Sequence, residues 1–226
     1  AITARAARLT AVGGAASGRV GGRTVVAIPR PVGKLTPELG DLRAWGWGKE
    51  HRAQPKVVSI TQSTELGTRY SVDEIAAIVE QAHRHDMLVH LDGARIANAA
   101  AALDAPLRAF TTDVGVDVVS FGGTKNGMMI GECVVVLNAD AVRGMAFLRK
   151  LSMQLASKMR FVSVQFDALL SGDLWLRNAR HSNAMAVRPE ADVRARGGVG
   201  GRRPFGATAL CATLAQACPG RRPRRA

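Results

Sequence analysis

Cysteine is scarce in this chain: three residues in 226, at positions 133, 211 and 218. The count is odd, no Cys-x-x-Cys pair occurs, and no histidine stands nearby at ligand spacing. A disulfide framework and a zinc site are therefore excluded as readings. Cys133 lies in an apolar run and reads as a small core residue. Such cysteine usage fits a reducing cytoplasm. Long hydrophobic runs are also missing. The longest, around residues 128–137, is broken by Gly131 and Glu132, far short of the roughly 20 apolar residues of a membrane span. The first residues lack the basic-then-apolar layout of a secretion signal. Acidic residues are absent from 1–34, and lysine is absent from 187–226.

Positive charge is what the chain has in excess. Its 31 basic and 18 acidic residues give +13, which for a whole protein suggests nucleic acid or an anionic surface as partner. The position of the charge removes that implication. Residues 1–34 carry five Arg and Lys34, a net +6. Residues 187–226 carry nine Arg against Glu190 and Asp192, a net +7. Residues 35–186 hold 16 basic and 16 acidic residues and are neutral. A nucleic-acid-binding protein is thus the weaker reading. In 187–226, Arg, Ala, Gly and Pro fill 27 of 40 positions, with no hydrophobic period. Either these ends are disordered basic tails, or they are a GC-rich gene read out of frame. The lack of lysine, and of any aromatic but Phe205, in the C-terminal end favours the second.

A chain of this length makes one large domain or two small ones. Its middle alternates short β-branched runs with helical patterns. Lys56–Thr61, Met87–Asp92, Val116–Phe121 and Cys133–Leu137 read as strands. Ser71 and Glu74 form a capping box. Ile75, Ile78, Val79 and Ala82 then follow one helix face, to an end near His85. Further helices are expected over Ile96–Leu103, Ala141–Leu170 and Asp173–Met185. Strands separated by helices make βαβ units, which require a mostly parallel sheet with flanking helices, an α/β fold. Ligands gather at the carboxyl ends of such strands. Three segments leave those ends: 62–65, 92–95 and 122–125.

Asp92 closes one strand in His-Leu-Asp-Gly-Ala-Arg. Lys125 follows another in Ser-Phe-Gly-Gly-Thr-Lys-Asn-Gly. A carboxylate and an amine on neighbouring strand tips are what a pyridoxal 5′-phosphate site needs: the lysine binds the aldehyde and the aspartate keeps the pyridine nitrogen protonated. Thr124 offers a hydroxyl suited to a phosphate oxygen. The same residues also fit an ordinary Asp-Gly turn and a solvated lysine in a glycine-rich loop. A P-loop is excluded, because its Gly-x4-Gly-Lys spacing is absent.

The stretches His90–Asn98 and Val116–Gly127 resemble the low-specificity L-threonine aldolases. That group falls among the β-eliminating lyases of the fold-type-I pyridoxal phosphate enzymes. Glu50–Pro55, Ser59–Gly67, Met153–Phe161 and Asp173–Ala179 agree in order and spacing. The resemblance runs over 21–186, leaving 1–20 as an unmatched basic segment and 187–226 as the Arg-rich tail. It implies part of the fold-type-I large domain. It implies cleavage of threonine or allo-threonine, a small amino-acid substrate, to glycine and an aldehyde. Lys125 becomes the cofactor lysine, Asp92 the partner of the ring nitrogen, and Arg95 a neighbour of the cofactor's 3′-oxygen. A homo-oligomer is implied for the intact enzyme.

The chain also departs from the family pattern. The family's phosphate loop and ring-stacking residue have no counterpart in 1–20. The stretch Ser63-Thr64-Glu65 stands where some members have Asn-Thr-His, so Glu65 is either substrate-facing or on the surface. The expected carboxylate-binding arginine of a C-terminal domain is missing. These departures admit a second expectation, an inactive fragment.

Overall fold

The computed structural model describes residues 2–4, 26–28, 33–41, 44–64 and 66–195. One sheet organises them. Its strands are β1 (Ile2–Ala4), β2 (Val26–Ile28), β3 (Val57–Thr61), β4 (Leu88–Gly93), β5 (Val118–Gly122) and β6 (Glu132–Val136), in the order β2-β1-β3-β4-β5-β6. All neighbours are parallel except β5 and β6. Around the sheet stand α1 (Pro37–Asp41), α2 (Val72–Arg84), α3 (Ile96–Leu103), α4 (Met145–Leu151), α5 (Arg160–Leu170) and α6 (Leu174–Ala195).

The reversal at β6 has a simple cause. A parallel return needs a crossover of a dozen or more residues. Only residues 123–131 separate β5 from β6, so the chain turns back instead. That short link carries Lys125 in a single 3-10 turn, Thr124–Asn126.

Side chains alternate between the two faces of each central strand. Val58, Ile60, Val89, Leu91, Val119 and Phe121 are buried and share one core with Ile75, Ile78, Val79 and Ala82 of α2. Each such aliphatic, fully buried, contributes about 1.5–3 kcal/mol. Alternate positions put Ser59, Thr61, His90, Asp92 and Ser120 on the opposite, partly open face. The capping box on α2 forms as expected: Glu74 N–H donates to Ser71 Oγ at 3.1 Å, and Ser71 N–H to Glu74 Oε2 at 2.8 Å. Such a cap contributes about 1 kcal/mol.

Three expectations change. The helical pattern over 141–170 is two helices, not one. Gly144, with φ +75°, precedes α4, and Met153 ends it in the left-handed region at φ +55°. Met153 N–H bonds Lys150 O at 3.1 Å and Gln154 N–H bonds Arg149 O at 2.9 Å. Methionine is a rare residue for that helix stop, which glycine usually makes, so the pattern hides it. Second, α6 continues to Ala195, nine residues into the segment read as a tail. Third, Ile2–Ala4, in the segment read as unmatched, pairs with β3 inside the sheet. Residues 5–25 and 196–226, with most of both basic ends, lie outside the described residues.

Candidate active site

The three segments singled out at strand ends leave β3, β4 and β5, which are adjacent in the sheet. The register places Thr61 opposite Asp92 and Asp92 opposite Ser120. Directly paired residues share a face, so all three project from the open face. Asp92 is half-buried at the tip of β4. Its Oδ1 accepts from Ala94 N–H at 3.0 Å. Among the described residues its second oxygen has no partner. Gly93 admits β5 closely: a Cβ there would stand 2.9 Å from Ser120 O.

Below Asp92 the face carries a polar chain across three strands. His90 Nδ1 lies 2.8 Å from Ser59 Oγ, and His90 Nε2 lies 2.8 Å from Ser120 Oγ. A neutral ring accepts from one serine and donates to the other. Burial pushes the imidazole below its ordinary value, against the opposing pull of the Asp92 carboxylate. The sign of the pH effect follows. Below about pH 6.5 the unfolded chain takes up a proton at this position that the folded chain refuses, so stability falls as pH falls. Above that pH the group contributes no slope. The parent should therefore lose more stability than His90→Gln between pH 7 and pH 5.5 in urea unfolding. Equal losses would show that His90 is not held neutral.

Lys125 is exposed on the turn beyond β5, one strand over from Asp92. On one side Thr124 anchors it, its Oγ1 accepting from Gly131 N–H at 3.2 Å. On the other, Asn126 is buried, and its Nδ2 donates to Trp175 O at 3.0 Å. Arg95 is half-buried at the N-cap of α3 and makes no side-chain cap bond there. Glu65 lies outside the described residues. Asp92, Arg95, Thr124 and Lys125 thus fall on two neighbouring strand tips and the turns that leave them.

Two residues with a place at this site escape a reading of the sequence. Glu132 opposes Gly122 across the antiparallel pair, which puts it on the same face as Asp92. Its Oε2 comes within 2.9 Å of where a Gly122 Cβ would stand, and Ala94 Cα within 3.1 Å of the same point. Only the register of β6 shows this. Asn178, 53 residues after Lys125 in sequence, donates to Asn126 O at 2.8 Å.

The donor set fits pyridoxal phosphate. It offers an amine, a carboxylate oxygen left unpaired among the described residues and a half-buried guanidinium. Ser63 Oγ, in the turn leaving β3, is the one buried side-chain polar atom among the described residues without a hydrogen-bond partner. The fold is that of the large domain of fold-type-I pyridoxal phosphate enzymes. Comparison with known proteins narrows this. The beta-eliminating lyase family matches residues 2–206, and the chain belongs to that family. The match is wider than the 21–186 carried by the motifs. The chain is 40% identical over 167 residues to the low specificity L-threonine aldolase of Pseudomonas aeruginosa, covering 73% of this chain and 48% of that one. It is similar to the solved threonine aldolase of Leishmania major, with TM-score 0.81 and 29% identity over 91% of this chain and 60% of that one. A Thermus thermophilus aspartate aminotransferase shares the fold at TM-score 0.62 and 16% identity, over 91% of this chain and 56% of that one. The chain spans about half the length of the curated relatives it matches.

Proposed function

We propose that this chain carries the cofactor-binding core of a pyridoxal phosphate-dependent aldolase that cleaves β-hydroxy-α-amino acids, threonine or allo-threonine, to glycine and an aldehyde. The carrying observation is the placement of Asp92 and Lys125 on neighbouring strand tips above one polar face. When bound, pyridoxal phosphate supplies an electron sink for the bond broken at the substrate α-carbon. Lys125 is the amine that holds the cofactor aldehyde. The oxygen of Asp92 left unpaired among the described residues would hold the protonated ring nitrogen. Arg95 would hold the ring oxygen with its planar donor fork. The Thr124 hydroxyl accepts from Gly131 N–H at 3.2 Å and donates to Gly131 O at 3.4 Å; it would turn that proton to a phosphate oxygen.

Among the described residues no helix is long and apolar enough to cross a membrane, and we assign the protein to the cytoplasm. We also assign it a homo-oligomeric state. Phe147 and Leu151 are each 81% exposed, a cost in apolar surface that a second copy would remove. Sedimentation of the full chain tests this; a monomer at all concentrations would refute it.

The functional test is glycine release from threonine by the cofactor-loaded chain, with Asp92→Asn beside it. A charge-assisted hydrogen bond is worth about 1.5–3 kcal/mol. The variant should turn over roughly ten- to a hundredfold more slowly while still capturing cofactor. Turnover equal to the parent's would remove Asp92 from the ring nitrogen. Failure of the loaded parent chain to release glycine would refute the aldolase reading.

A further inference from the structure

We infer that α6 is a splint for the lysine turn, with Asn178 as its positioning residue. This rests on the reading of Lys125 as the cofactor lysine. A 3-10 turn of three residues has poor hydrogen-bond geometry and little stiffness of its own, yet a site lysine must be held at a fixed distance from its carboxylate. The residue after Lys125 is gripped twice by α6. Asn178 Nδ2 donates to Asn126 O at 2.8 Å, and Asn126 Nδ2 donates to Trp175 O at 3.0 Å. The approach depends on Gly127, whose φ is +112°; a Cβ there would stand 2.7 Å from Asn178 Nδ2.

The same helix grips the other half of the site. Asn183 Nδ2 donates to Asn98 O at 3.0 Å, and Asn98 Nδ2 donates to Asn183 Oδ1 at 3.0 Å. Asn98 belongs to α3, whose N-cap is Arg95, three residues beyond Asp92. Asn178 and Asn183 are five residues apart, about 7.5 Å along the helix axis. One rigid rod is thereby bonded both to the Lys125 turn and to the helix that follows the Asp92 turn. α6 thus adds to the β4–β5 register in fixing the spacing of amine and carboxylate. Arg180 also reaches Asp104 at 3.1 Å, but that pair is exposed and adds little.

Asn178→Ala and Asn183→Ala, made in the full chain, separate positioning from plain stability. Each removes an amide of the same helix, but only the first touches the lysine turn. Asn126 N–H and Met128 N–H both bond Gly123 O, and their hydrogen exchange reports the turn without any cofactor. In Asn178→Ala both should exchange about tenfold faster, as the loss of one hydrogen bond predicts; in Asn183→Ala they should match the parent. With pyridoxal phosphate added, the visible band of lysine-bound cofactor should form about tenfold more slowly in Asn178→Ala than in the parent. Asn178→Asp keeps the shape, replaces the donor by a carboxylate oxygen facing the Asn126 carbonyl, and should repeat the result if the alanine variant folds poorly. Equal exchange in the two alanine variants, or capture by Asn178→Ala as fast as by the parent, overturns the splint. A parent chain that captures no cofactor refutes the reading of Lys125 instead, and the exchange measurement still decides whether α6 holds the turn.

Discussion

Lys125→Ala should abolish the visible band that pyridoxal phosphate develops with the parent chain. Borohydride should fix the cofactor to a peptide containing Lys125 in the parent and to none in the variant. Glycine release should fall by on the order of a thousandfold or more, as when an acting nucleophile is deleted. The effect is large because none of the other five lysines leaves a strand tip; Lys49 lies in the loop before β3 and Lys158 in the turn before α5. Lys34 is bonded to Glu74. Lys56 precedes β3 at the opposite end of the sheet. Lys150 belongs to α4. A fold-wide explanation is unattractive, because the Lys125 side chain is exposed and its removal leaves no cavity. A band of unchanged intensity in the variant would move the cofactor to another amine and remove the central residue of the proposed site.

Asp117→Ala should cost about 3–5 kcal/mol of stability in urea unfolding. Asp117 opens the β5 segment and is only 1% exposed. Its Oδ2 accepts from Val89 N–H at 2.7 Å and from His83 Nε2 at 3.0 Å. Its Oδ1 accepts from Asn138 Nδ2 at 2.6 Å. One carboxylate therefore ties β4, α2 and the chain beyond β6 at the amino end of the sheet. Alanine leaves the Val89 N–H buried without an acceptor, and an orphaned buried donor alone costs about 1–3 kcal/mol. Asp117→Asn keeps one acceptor oxygen and should lose less than alanine does. A loss below about 1 kcal/mol for alanine would mean that water replaces the carboxylate. This residue is remote from the strand tips, so cofactor capture by the folded fraction should be unchanged.

The two sites differ in how they could be read. Asp92 and Lys125 stand in local stretches that follow apolar strands, and the strand patterns say where each strand stops. Their neighbourhood followed from the general rule for parallel sheets. Asp117 lies inside the strand pattern Val116–Phe121, where alternation marks only which positions are buried. Its three donors lie 34 and 28 residues before it and 21 after it, and nothing in their spacing signals a meeting. His90 shows the same limit. Its position on the face of Asp92 follows from a period of two, but its serine partners come from β3 and β5. Their meeting depends on strand order and register.

The excess of positive charge is a related case. Counted whole, it suggests a polyanion. Counted by segment, residues 35–186 are neutral and carry the proposed cofactor site. The basic ends then mark boundaries less sharply than composition implied, since α6 runs to Ala195 and Ile2–Ala4 joins the sheet. Backbone pairing and helix propagation tolerate arginine and alanine readily, so composition alone could not place those limits.

By itself, the sequence determined the alternation that builds the sheet, the capped amphipathic helix α2, and the identity of the carboxylate and amine at the strand ends. These are local properties, set by side-chain period, cap chemistry and residue type. Only the tertiary structure decided that β6 runs backward, that Glu132 therefore shares the face of Asp92, that the 141–170 pattern splits at Met153, and that Asn178 grips the turn of Lys125. Each of these depends on which distant segments meet. A hydrogen bond or a register is a relation between two places in the chain, and a linear pattern records only one of them at a time.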